Sequence, residues 1–209
     1  MNQPITSAQN LWGEVYNTTL GAIYTPIEAH LKQVSKSSPS DGVVRRSAGP
    51  DVPDFGFAPQ EYITQIGQYL MTLPQHLEPF LPREQTTGGT LPWSGCSDLL
   101  PAIDGGEGVV GDLAEALLSG VTRATCKQFS EFILGLPVLG SDAARQLATD
   151  IDYLGNVLEE LGLTLSEPLR QIALLLRLPA EEYLTGSTGC APRLVAAVRQ
   201  LRNLPSTSS

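Results

Sequence analysis

The stretch ATDIDYLGNVLEELG, Ala148–Gly162, holds Asp150, Asp152, Glu159 and Glu160. It is either an acidic site or one face of a scaffold helix, and the reading of the chain turns on which. Residues advance about 100° each along a helix, so Asp150 and Asp152 stand about 200° apart. They point to nearly opposite sides and cannot converge on one metal ion. Glu159 and Glu160, about 100° apart, are poor partners for the same reason. Ala144, Leu147, Ile151, Leu154, Leu158 and Leu161 step by threes and fours and lay one apolar seam. Asp152, Asn156 and Glu159 face away from it and read as a solvated face. Asp150 falls beside the seam, in line with Gln146, Tyr153 and Val157. This second stripe is polar with an aromatic in it. It faces a neighbouring helix or a partner chain, and Asp150 is expected to accept a structural hydrogen bond or ion pair there. Ser141 is placed to cap the helix and Gly162 to end it.

The same periodicity runs outward from this helix. Trp12, Val15, Tyr16, Leu20, Ile23, Ile27, Leu31 and Val34 form a stripe from 8 to 34, with Pro26 expected to kink or split it. Pro59 and Glu61 suit the start of a second helix whose stripe is Tyr62, Ile66, Tyr69, Leu70 and Leu73, with a stop expected at Pro74. Residues 112–136 carry a third pattern ended by Pro137, Ser166 is placed to cap a helix over 167–178, and Pro192 opens the last one. Segments 37–57 and 82–108 lose the periodicity and gather Ser, Thr, Pro and Gly. The expected organisation is an N-terminal helix (1–36), a flexible linker (37–57), a helix (58–81), a flexible loop (82–108), a C-terminal helical bundle (109–204) and a tail (205–209). No period-2 strand and no repeat interrupts the pattern. The fold class is all-α, an elongated helical bundle or stacked helical rod.

Composition narrows the function. The 209 residues include 42% hydrophobic side chains, enough for a packed core, and carry a formal net charge of −9. That charge repels a phosphate backbone, so nucleic acid is not an expected partner. Cys96, Cys126 and Cys190 lie far apart, without a CxxC pair, which suits free thiols in a reducing compartment. The N-terminus shows no signal-peptide pattern, and no run reaches the ~18 apolar residues of a membrane span. Any membrane role is expected to be peripheral.

The remaining motifs favour structure over chemistry. Gly106-Glu107-Gly108-Val109-Val110-Gly111 matches GxGxxG, but the dinucleotide reading needs a preceding strand. Pro101 interrupts the would-be strand, and Glu131 falls inside a helical pattern. Asp104 to Glu107 lacks the alternating ligands of a calcium loop. His30 and His76 have no ligand at metal spacing and read as surface or boundary residues. Asn17-Thr18-Thr19 is a glycosylation sequon on a helix with no secretion signal beside it, and is discounted. No nucleophile sits in an activating context. No catalytic residue, metal site or cofactor is expected. The pattern describes an acidic helical interaction module that binds through helix faces.

Two long strings add a resemblance. EYITQIGQYLMTLPQHLEPFL (Glu61–Leu81) and ARQLATDIDYLGNVLEELGL (Ala144–Leu163) resemble the C-terminal region of the subunit-seven family of the conserved oligomeric Golgi complex. PIEAHL (Pro26–Leu31), SGVTRATCKQF (Ser119–Phe129) and PRLVAAVRQLR (Pro192–Arg202) agree in the same order. The resemblance implies a non-catalytic subunit of a tethering complex on the cytosolic face of the Golgi, with the helical-rod fold shared by multisubunit tethering complexes (CATCHR-like). It implies retrograde intra-Golgi vesicle capture and retention of glycosylation enzymes. It also implies partnership with subunits five, six and eight, and with SNARE and Rab proteins through the complex. Family members are much longer, so the chain is expected to be a fragment, a partial gene model or a short isoform. The competing readings are a generic cytosolic helical adaptor and a nucleotide-dependent enzyme using Gly106–Gly111.

Overall fold

The computed structural model describes residues 3–36, 58–77 and 113–205. The 37–57 linker, the 82–108 loop, the Gly106–Gly111 and Asp104–Glu107 motifs, Cys96 and residues 206–209 lie outside the described residues. Within them the chain forms seven helices and no strand: α1 (Gln3–Lys36), α2 (Glu61–Leu77), α3 (Leu113–Leu134), α4 (Ser141–Glu160), α5 (Glu167–Arg177), α6 (Tyr183–Gly186) and α7 (Pro192–Leu201). The fold is all-α, as the periodicity predicts.

The α4 seam explains why that helix forms and what it buries. Ala144, Leu147, Ile151, Leu154 and Leu158 are all buried, and Leu161 is half-buried at the end. Burying one such side chain fully contributes about 1.5–3 kcal/mol. Gly162 takes φ +74°, which a side chain would resist. Its N–H donates to the Glu159 carbonyl at 3.0 Å, and the Leu163 N–H to the Leu158 carbonyl at 2.8 Å. These paired bonds satisfy carbonyls that the helix end otherwise leaves open. The start differs from expectation. Gly140 is the N-cap, Ser141 is already helical, and no side chain caps the end. The Ala144 N–H bonds the Gly140 carbonyl instead, and Asp142 supplies a negative charge in the first turn. Ser166 does hold the N-cap position of α5, but its side chain makes no cap bond.

Two prolines sit inside helices. α1 runs unbroken through Pro26, with Ile23 and Ile27 on either side of it fully buried. α2 continues past Pro74 to Leu77, rather than stopping there. Proline removes its own N–H and crowds only the turn before it, so buried side chains on the same face can outweigh that loss. Pro59 lies before α2, which starts at Glu61.

The helices enclose one core. α4 packs most closely with α5, and α1 with α3. α2 touches α1, α3 and α4, and so joins the two pairs. α7 covers α5 and the edge of α3. α2 contributes Ile63, Ile66 and Leu70, each almost wholly buried, while Phe129 and Ile133 of α3 are fully enclosed. The short α6, which has no periodic signature, buries Tyr183.

Candidate functional site

The second stripe of α4 turns toward α2. Gln146 and Tyr153 are half-buried, Val157 is buried, and Asp150 is 0% exposed. A wholly buried carboxylate is costly unless its oxygens are bonded. Asp150 accepts three hydrogen bonds. The Gln60 backbone N–H donates to Oδ1 at 2.9 Å, the Tyr62 hydroxyl to Oδ2 at 2.9 Å, and Gln146 Nε2 to Oδ1 at 3.0 Å. Gln146 Nε2 also reaches the Ala58 carbonyl at 2.8 Å. Two turns along, Tyr153 and Val157 frame Gly67 of α2. A Cβ on Gly67 would stand 2.8 Å from Tyr153 Cε1 and 3.1 Å from Val157 Cγ2. The absent side chain is what lets the two helices approach there.

His30 of α1 covers the outer side of this joint. Its ring lies flat on Tyr62, centroids 4.1 Å apart and planes 15° from parallel. Burial pushes the Asp150 carboxyl above its ordinary value, and the bonds from Gln60, Gln146 and Tyr62 oppose that rise. Burial, reinforced by the Asp150 charge and hydrogen bond, drives the Tyr62 hydroxyl far up, so it stays a donor. Burial lowers the His30 pKa, and the Asp150 charge partly restores it. An open cleft of about 410 Å³ lies beside the stack, lined among others by Pro26, His30, Gln33, Gln60, Glu61 and Gln65.

This chemistry suits a joint rather than a reaction. The Asp150 oxygens are engaged and shielded from water, and Tyr62 is held as an un-ionised donor. Among the described residues no group of three or more His, Cys, Asp or Glu is placed to hold a metal ion. His76 is exposed at the end of α2. Cys126 is buried on α3, where burial raises its thiol pKa and bonds from Ser166 oppose the shift. Cys190 is half-buried.

Asn156 and Glu159 are exposed as expected. Asp152 is not simply solvated: it pairs with Arg177 of α5, both side chains half-exposed. Arg177 also donates to the Ala148 carbonyl at 3.2 Å, tying α5 to α4. Sequence reasoning misses Gln60, Tyr62 and Gly67 as partners of the second stripe. Only the i, i+4 spacing of Gln146 and Asp150 signals any part of this network locally. It also misses Arg202, which donates from Nη1 to the Leu175 and Leu178 carbonyls, both at 2.7 Å.

The Golgi complex component 7 family model matches residues 3–203. The chain is 42% identical to conserved oligomeric Golgi complex subunit 7 of Drosophila melanogaster, over 94% of this chain and 25% of that protein. It is 34% identical to the Mus musculus protein of the same name, over 95% of this chain and 26% of the relative. The Homo sapiens protein is 33% identical over 96% of this chain and 26% of its own length. The chain thus spans about a quarter of the length of the curated relatives it matches. No solved structure matches it significantly.

Proposed function

Since the chain belongs to the Golgi complex component 7 family, we propose that it serves as a non-catalytic, helical part of subunit 7 of the conserved oligomeric Golgi complex. Its work in that role is to hold helix faces in a fixed arrangement for other subunits. The reading extends to retrograde intra-Golgi vesicle tethering, Golgi organisation and retention of glycosylation enzymes. Its proposed partners are subunits five, six and eight, with SNARE and Rab proteins reached through the complex. Its proposed location is the cytosolic face of the Golgi membrane, held peripherally, and the cytosol. No helix among the described residues is long and apolar enough to cross a membrane.

The observation that carries this reading is the family match across nearly the whole chain, from residue 3 to residue 203. The all-helical architecture and the occupied carboxylate of Asp150 are compatible with a scaffold role. Affinity capture of the chain and of its full-length relative, with antibodies against each candidate subunit, tests it. Recovery of subunits five, six and eight with the relative is expected. Their absence from the relative's complexes overturns the assignment.

A further inference from the structure

The approach to α2 is bonded to two side chains of α4, Asp150 and Gln146. Gln60 immediately precedes α2, and its carbonyl takes a bond from the Thr64 N–H at 3.2 Å. Its own N–H is therefore a donor that α2 cannot use. Asp150, 90 residues away, accepts it. The carboxylate thus caps α2 from α4, at the helix end where a negative charge is favoured. The Gln146 side chain ties the same strip of backbone down at Ala58.

A buried charge makes this corner cooperative. With all three donors in place its burial is compensated. With one donor removed, hydration of the freed carboxylate favours opening. Two turns further on, α2 is held to α4 by contacts around Gly67, and Ile63 and Ile66 are buried in the core. These contacts do not depend on the charge. α5 packs on α4 and α7 on α5, and neither supplies a donor to the network.

We propose that Asp150 is a conformational latch: bonded to Gln60, Tyr62 and Gln146 it holds residues 58–60 and the first turn of α2 on α4, and without those bonds this corner opens while α4, α5 and α7 remain packed. Amide hydrogen exchange of the full chain, read by mass spectrometry on peptides, tests it. Asp150→Ala is expected to speed exchange in a 58–66 peptide about tenfold or more, the loss set by charge-assisted bonds. Peptides covering 169–176 and 198–201 keep their protection. Tyr62→Phe removes one donor without a cavity, and is expected to speed the 58–66 peptide less, on the order of threefold. The proposal is overturned if Asp150→Ala leaves the 58–66 peptide unchanged. It is also overturned if Tyr62→Phe speeds the 169–176 peptide as much as the 58–66 peptide.

Discussion

Replacing Arg202 with Met keeps an apolar stem of similar length and removes the charge and every donor. The native guanidinium closes the C-terminal end of α5, a helix of eleven residues ending at Arg177. Its Nη1 group donates to the Leu175 and Leu178 carbonyls at 2.7 Å each, where α5 has no N–H left to offer. The guanidinium also lies over the Tyr183 ring, 5.7 Å from its centre. That ring stays neutral, because burial pushes its pKa up to about 12 against the opposing Arg202 charge. Bonds to a charged group contribute about 1.5–3 kcal/mol when buried, and Arg202 is only half-buried. We therefore take about 1 kcal/mol per bond, the ordinary net value. The ring contact adds about 0.5 kcal/mol. The expected loss is about 2.5 kcal/mol, or a fall in Tm of about 5–10 °C for a chain of this size. Circular dichroism at 222 nm during heating measures it. Arg202→Lys keeps the charge and a donor but loses the planar fork, and is expected to recover about half of the loss. A Met variant melting within about 1 °C of the parent would refute the reasoning.

Gly67→Ala is expected to cost about 1 kcal/mol, because overpacking against Tyr153 and Val157 exceeds the roughly 1 kcal/mol gained in helix propensity. In a Tyr153→Ala background the same change should become neutral or stabilising. Urea denaturation of the parent and the three variants decides, and a penalty that persists without the tyrosine ring would place its cause elsewhere. Acid should act through His30, whose folded pKa lies below the ordinary 6.5 because burial outweighs the Asp150 charge. A depressed value means that the unfolded chain binds the proton more readily. This contribution to stability is present above about pH 6.5 and is lost as pH falls through the folded pKa. The groups around the ring are Tyr62 and Glu61 of α2 and Asp150 of α4, with Glu28 and Lys32 on α1 paired to each other. Tyr62 does not titrate in this range, and its burial keeps it protonated. Asp150, also raised, works in the opposite sense at lower pH. Thermal melts at pH 7.5 and pH 5.5 should therefore show a smaller acid loss in His30→Gln than in the parent, and equal losses would contradict the assignment.

Much of the architecture is legible in the sequence because it is local. The spacing of Ala144, Leu147, Ile151, Leu154 and Leu158 defines a helix and its buried face, and Gly162 marks its end through a φ that other residues resist. The same geometry separates Asp150 from Asp152 and removes a metal-binding reading before any fold is known. The prolines are less informative than they look. Pro26 predicts a kink or split and Pro74 a stop, from one lost N–H each, while α1 is held by buried Ile23 and Ile27 on either side of its proline and α2 runs on to Leu77. Capping is misread for a related reason. Ser141 has the right chemistry, but the chain's path puts Gly140 at the cap.

Helical period and family likeness are properties of the sequence itself, and they determine that this chain is an all-helical member of the Golgi complex component 7 family. What Asp150 does is decided only by the tertiary structure. Periodicity places it beside the seam with Gln146 one turn away, yet two of its three donors, Gln60 and Tyr62, lie 90 and 88 residues away and are brought in by the packing of α2 on α4. The direction of a side chain follows from local geometry. The cost of burying its charge depends on which groups arrive to bond it, and those are set by the packing of distant segments.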